Sequence, residues 1–556
     1  MLVLFGYLVL PPLFFMGWSS LSPGTTLTGA GGPSLRVYAA IFASPTLPRL
    51  VWDTFVFALG STVVGTCLGA VMAWLVERTN VPGRQAAYVA VFLGVAVPAI
   101  IRVIGWILLL GPQHGVLNQL SVLLFGPHGP TANVETMPGM ILIEGSFWAP
   151  IAFLLMVGPF RGMDPHLEEA AVISGASPWR TYRSVTLRLM LPSILSILIL
   201  TFIRTVQAFE VPLFLGVPGG THVLTASIFT DIQESYLPNY GQASAYGVVL
   251  LAFLSVVLWF YALVTRHGAR FQTVTGKGFR PRRINLGRWR WVAAAFLWLM
   301  VVIEGLPGAF MVLASFLRSL GIGTVPWWRN LTDTNYRQLT TFPGVASSVV
   351  NSLVIAVISA TAAVGFAVIA SWLAARAQVR GRRVVDTLIS LPLVFPGVVM
   401  SLAMLIMYLR VPLHVYGTIW VFVLAYVATF TPYAMRYTHP ALLQIHRELE
   451  EVAIVSGAGW LQTFRRILAP LLTPAMVGAW AFIFLISLRE LAVASLLYTA
   501  HSQVIATQLL DMWTNGNLNV LSAFGTLVSI VGAVVAGVVF HFSRSFGVEE
   551  PGTATS

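Results

Sequence analysis

Apolar residues along this chain fall in continuous runs rather than in the alternating pattern of an amphipathic surface. The runs lie near 3–18, 54–76, 88–110, 137–159, 190–214, 241–264, 291–315, 347–374, 386–408, 415–436, 471–498 and 521–542. Roughly 20 apolar residues are what a helix needs to cross about 30 Å of hydrocarbon. Barrel strands would instead alternate polar and apolar positions over about ten residues. The pattern therefore predicts an all-α membrane protein with about 12 transmembrane helices. The first run has no basic residues before it and no convincing small-residue cleavage site, and so reads as a retained membrane helix.

The pattern also repeats. Leu167 to Ala176 reads LEEAAVISGA, and Leu449 to Ala458, 282 residues later, reads LEEVAIVSGA. Trp74-Leu75-Val76-Glu77-Arg78 matches Trp372-Leu373-Ala374-Ala375-Arg376 at an offset of 298, and Ser244-Ala245-Tyr246-Gly247 resembles Ser522-Ala523-Phe524-Gly525 at 278. Falling offsets place the length changes in loops on one side and keep the helices in register. The chain divides into a first repeat, 1–265, a basic linker, 266–290, and a second repeat, 291–556. With about six spans each, an even number, the two copies run parallel. Inverted repeats of the ion-coupled carrier kind are not expected.

Composition agrees with the membrane reading: 57% of residues are hydrophobic and 9% charged, and mean hydropathy is +0.82. A water-soluble fold is excluded. The net charge of +12 sits in particular loops rather than on one nucleic-acid-binding face, so no nucleic acid partner is expected. Segment 266–290 carries Arg266, Arg270, Lys277, Arg280, Arg282, Arg283, Arg288 and Arg290 without an acid, and 376–383 adds Arg376, Arg380, Arg382 and Arg383. These connections should be cytoplasmic, whereas 111–136, 216–240 and 499–520 contain no Lys or Arg and should face outward. The 316–346 connection, with Arg318, Arg329 and Arg337, fits less well. Cys67 is alone, which excludes an intrachain disulfide, and its place in an apolar run predicts a packing residue.

Each LEE segment predicts a short helix whose early acids favour the positive end of its dipole, with Gly175 or Gly457 turning the chain into the next span. The pattern Glu-Ala-Ala, three residues, Gly, nine residues, Ile-x-Leu-Pro resembles the signature loop of ATP-binding-cassette importer permeases. The first copy reads Glu169-Ala170-Ala171, Gly175, then Val185-Thr186-Leu187-Arg188; the second reads Glu451-Val452-Ala453, Gly457, then Ile467-Leu468-Ala469-Pro470. Arg188 stands in place of the family's Pro, and Ala469 in place of its Leu. The resemblance implies a type I importer permease in fused two-domain form in the bacterial inner membrane. It implies two coupling helices, around 168–179 and 450–461, each seated on one of two ATPase subunits. Glu168, Glu169, Ala170, Ala171, Gly175, Glu450, Glu451, Ala453 and Gly457 would form those contacts. ATP and Mg would then be bound by the ATPase partners, with no cofactor on this chain. An extracytoplasmic solute-binding protein is the third partner, beside the lipid bilayer. No phosphate-binding loop occurs here, since Lys277 lacks the upstream glycine spacing.

Charges inside apolar runs are costly and mark pathway candidates: Arg102, Glu144, Arg204, Glu210, Arg489 and Glu490. Mutual neutralisation between helices is the competing reading. The segments Ala208 to Gly216 and Ser487 to Leu491 resemble the ferric-iron permease group, whose relatives handle thiamine, polyamines or aminophosphonates. The resemblance favours ferric iron as substrate, with thiamine, a polyamine or an aminophosphonate as alternatives; carboxylates suit a hard cation, whereas the arginines would equally suit an anion carried as a complex. No metal-ligand set emerges from the histidines, and Met400, Met404 and Met407 read as packing. Asp231 and Asp511, in the outward segments, are candidates for docking the binding protein. An ion-coupled carrier would share the spans and buried charges but has no need of the repeated Glu-to-Gly motif.

Overall fold

The computed structural model describes residues 2–22, 33–113, 115–162, 170–171, 173–268, 284–320, 329–376 and 387–545. In chain order the principal helices of the first half are α1 (Leu2–Ser20), α2 (Thr46–Arg78), α3 (Gln85–Ala96), α4 (Ala99–Leu110), α5 (Val116–Phe125), α6 (Met137–Arg161), α7 (Leu187–Val206), α8 (Leu224–Gln233) and α9 (Tyr240–Gly268). The second half follows with α10 (Trp289–Ser315), α11 (Val345–Ala375), α12 (Gly397–Arg410), α13 (Ile419–Gln444), α14 (Glu448–Val455), α15 (Ala469–Arg489), α16 (Ile505–Thr514) and α17 (Leu518–Ser545). Among the described residues there is no named strand, only two isolated bridges. Among the described residues nine helices are long and apolar enough to cross a membrane, or up to eleven if each of two bent pairs is one span. The chain is an all-α, multi-pass membrane protein.

The bends correct two of the expected straight spans. The run near 88–110 is α3 followed by α4 at 103°, and the run near 386–408 is Thr387–Val394 followed by α12 at 108°. Both break at a proline, Pro98 and Pro396, whose rings disfavour helical geometry in the residue before them. Val97 and Phe395 are accordingly extended, each with ψ of 125°. The two prolines are 298 residues apart, the offset of the Trp74 and Trp372 anchors. The run near 190–214 also ends early, at Val206, and that near 471–498 at Arg489.

The packed units do not follow the order of the repeats. One unit comprises Met1–Ile41, Ile228–Val248 and Tyr336–Ser556; the other comprises Phe42–Ser227 and Val249–Asn335. Helix α1 therefore packs with second-repeat helices, chiefly α12, while α10 packs with α3 and α4. Within the Phe42–Ser227 unit, α2 and α6 form the tightest pair because small residues let their backbones approach. A Cβ on Gly69 would stand 2.6 Å from the Ala152 Cβ, and one on Gly65 would stand 2.8 Å from the Gly145 carbonyl. Ala363 and Ala367, at the matched positions of α11, are fully buried. Cys67 departs from its expected role, since it is exposed on α2 rather than packed.

Candidate functional site

The repeated motif forms the same turn twice. Gly175 has φ of +82° and Gly457 has φ of +84°, the left-handed region that glycine enters without a Cβ penalty. In the first copy Ala176 N donates to Ala171 O at 3.0 Å; in the second, Ala458 N donates to Ala453 O at 2.9 Å. The hydroxyls of Ser174 and Ser456 bond the carbonyls four residues back, at 2.7 and 2.8 Å. No heavy atom lies within 4 Å of a Cβ built on either glycine, so the requirement is backbone conformation and not space. Beyond each turn the chain enters a membrane helix through a π-helical segment, Tyr182–Thr186 and Phe464–Leu468. Trp460–Arg489 is continuous over 30 residues and begins three residues after Gly457.

The faces of α14 have different surroundings. Ala453 is buried, and the Glu450 carboxylate meets Arg376 Nε at 2.9 Å, an ion pair whose angle is not that of a hydrogen bond. Arg376, at the end of α11, also donates from Nη2 to the carbonyls of Leu442 and Ile445 at the end of α13. This basic residue, expected in a cytoplasmic connection, fastens α14 to two spans. Glu451 is exposed. Val452, Ile454 and Val455 are 64, 63 and 88% exposed, and Ile173, which matches Val455, is 87% exposed. Of the first copy, Ala170, Ala171 and Gly175 are described, whereas Glu168 and Glu169 lie outside the described residues. Arg78, matching Arg376, is fully buried at the end of α2. At that same end Arg161 grips Glu77 with both Nε and Nη2, at 3.2 and 2.9 Å.

The charges inside spans have specific partners. Arg102 of α4 donates from Nη2 to Glu304 of α10 and from Nη1 to the Gly94 carbonyl of α3 at 3.0 Å, while its guanidinium stacks 3.7 Å above the Phe147 ring. One side chain thus braces the Pro98 bend and satisfies a helix-end carbonyl. Glu304 is not among the sequence candidates, although a single carboxylate in the 291–315 run is the kind of signal that marks a pathway or an ion pair. Glu144 accepts from Trp148 Nε1 at 2.9 Å on its own helix. Arg204 donates to Gln207 Oε1 at 3.4 Å, a long contact, and Glu210 is half-buried. Glu490 Oε1 accepts from Val493 N at 3.1 Å and its carbonyl accepts from the Tyr426 hydroxyl at 3.2 Å, so it caps the turn after α15. Arg489 is half-buried beside it. Among the described residues no group of three His, Cys, Asp or Glu could hold a metal, and Met400, Met404 and Met407 are buried.

Asp231 and Asp511 lie on the matched helices α8 and α16. Asp511 is tied to Asn515, whose Nδ2 donates to its Oδ1 at 3.2 Å. Asp231 is unlike it: Oδ2 is buried without a hydrogen-bond partner, and burial raises the carboxyl to about 7 despite a hydrogen bond from Gln242. Its ordinary value is 3.8, so between about pH 4 and pH 7 the folded state holds a proton the unfolded state has lost. Stability contributed by that proton is therefore lost as pH rises. Asp231→Asn is expected to raise the thermal midpoint of the purified protein, with a gain that grows from about pH 5 to about pH 8. A gain independent of pH would refute the buried-carboxyl account.

Comparison with known proteins places this architecture. The family described as binding-protein-dependent transport system inner membrane component matches the chain twice, at residues 65–268 and 367–546. The ferric transport system permease protein FbpB of Actinobacillus pleuropneumoniae is 24% identical over 478 residues, covering 84% of this chain and 67% of its own length. The putative ferric transport system permease protein FbpB 1 of Haemophilus influenzae is 26% identical over 454 residues, covering 80% and 69%. The maltose/maltodextrin transport system permease protein MalF of Escherichia coli is 27% identical over 225 residues, covering 40% and 44%. The two family matches cover more than half of the chain and each contains one copy of the glycine turn, so this protein belongs to the inner membrane components of binding-protein-dependent, ABC-type transport systems.

Proposed function

We propose that this chain imports ferric iron, receiving it from an extracytoplasmic binding protein and drawing energy from two copies of a separate ATPase subunit. The observation that carries the coupling is the pair of matched turns with Ile173 and Val455 exposed in front of them. Isoleucine and valine gain about 1.5–3 kcal/mol each on burial, so their exposure at matched positions fits docking to a partner. ATP-driven movement of that partner would displace the Gly175 and Gly457 turns, and the helices continuing from them would carry the displacement into the membrane. Glu168, Glu169 and Glu451 would face the partner with them, while Glu450 holds the lever to its own spans.

Iron is favoured by the names of the similar permeases and by the carboxylates Glu144, Glu210 and Glu490, which suit a hard cation as it passes. Asp231 and Asp511 would lie on the binding-protein side. The test is ATP hydrolysis by the complex of this chain with its ATPase, measured with the empty and the iron-loaded binding protein. Stimulation by the loaded form over the empty form is expected. Stimulation only by a thiamine-, polyamine- or aminophosphonate-loaded form would keep the importer and replace the substrate. A chain that associates with no ATPase would overturn the coupling assignment.

A further inference from the structure

Helix α5 has no counterpart at the matching place among the described residues of the second half. The offset between halves falls from 298 at Pro98 and Pro396 to 282 at Pro150 and Pro432, and the excess lies between α4 and α6. The second half joins α12 to α13 through the short segment 411–418, which contains no helix. With ten residues α5 is too short to cross a bilayer. It follows directly on α4, the second arm of the bent α3–α4 span, and packs against it.

The orientation of α5 is set by its polar side. Asn118 Nδ2 donates to the carbonyls of Leu110, Gly111 and Ala132 at 3.2, 3.1 and 2.7 Å, and its Oδ1 accepts from Ala132 N at 2.9 Å. Ser121 Oγ donates to Pro130 O at 2.7 Å. Rotating the helix to bury its leucines would break these bonds. What it presents outward is Leu117, Leu120, Leu123, Leu124 and Phe125, the last three 66–70% exposed. No Asp, Glu, Lys or Arg occurs from Val103 to Val134.

We infer that α5 is an interfacial helix, lying in the plane of the membrane with this face against lipid acyl chains. A binding-protein contact is the other possible occupant of an outward helix. Protein interfaces, however, carry about one hydrogen bond per 100–200 Å² and are enriched in aromatic residues, Met and Arg, whereas this face is aliphatic apart from Phe125 and the side chains of Asn118 and Ser121 bond inward. The helix that α5 packs against is α4, the second arm of the bent α3–α4 span, so the apolar face of α5 starts where a membrane-length apolar segment ends. A short helix with one apolar face and its polar groups on the other is the form that seats at the headgroup boundary.

The test uses the full chain in phosphatidylcholine vesicles, with Cys67→Ala and a single new thiol at Leu123→Cys carrying a small fluorophore. Thr131→Cys, in the exposed segment after α5, is the aqueous reference. Quenching at position 123 by a nitroxide near the carbonyl end of the lipid chain is expected to exceed quenching by aqueous iodide at least about twofold, with the opposite order at position 131. Leu117→Cys provides a second site should the first variant fail to insert. Iodide quenching at both 117 and 123 equal to that at 131 would overturn the inference. So would a label that ignores lipid nitroxide and is shielded only when the binding protein is added.

Discussion

Replacing Ile173 and Val455 together by aspartate is expected to abolish association with the ATPase while leaving the chain inserted and folded. Both side chains are almost fully exposed, so their loss removes no packing from this chain. If each is buried in the complex, the pair contributes about 3–6 kcal/mol of apolar burial, and losing it weakens binding about 10²- to 10⁴-fold. A buried carboxylate in their place adds a desolvation cost of its own. Co-purification of the ATPase from membranes, alongside uptake by the same cells, measures the effect. The single variants should show intermediate loss, because one turn of the two remains. Full association by the double variant would remove the turns from the coupling interface.

Removing one partner of the Arg102–Glu304 pair has the largest expected effect on stability. Their side chains are 5 and 0% exposed, and Arg102 Nε and Glu304 Oε1 have no hydrogen-bond partner. Glu304→Met leaves a guanidinium buried among apolar helices and is expected to destabilise the protein by about 3–5 kcal/mol. Arg102→Met with Glu304→Met removes both charges and should recover most of that loss, because apolar groups of similar volume replace an ion pair at little net cost. Thermal unfolding of the three variants in the same detergent gives the comparison. A double variant as unstable as the single one would mean that the Arg102 bond to Gly94 across the Pro98 bend, and not charge neutralisation, is what the fold requires.

The spans, the repeat and the glycine turns were legible in the sequence because each rests on a local property. A run of apolar residues specifies a membrane helix through its own transfer free energy, and Gly175 and Gly457 specify a left-handed turn through the absent Cβ. The bends were legible in principle, since Pro98 and Pro396 interrupt otherwise continuous runs, but run length alone conceals them. The inward role of Glu450 was not legible. In the sequence it is one of two adjacent acids, and only its position opposite Arg376, at the far end of another span, separates it from exposed Glu451. Likewise α5 reads as part of an outward loop until the inward hydrogen bonds of Asn118 show which face is left over.

By itself, the sequence determined a multi-pass helical membrane protein made of two related halves, each with a charged helix and a glycine turn, because those features depend on neighbouring residues and on the solvent. Tertiary structure alone decided that Arg102 meets Glu304, that Arg376 meets Glu450, and that α1 and α10 pack outside their own repeats. Hydrophobic runs are interchangeable in lipid, so hydropathy places a helix in the membrane without choosing its neighbours. That choice falls to side-chain fit between helices, and to the cost of leaving a buried charge without its opposite.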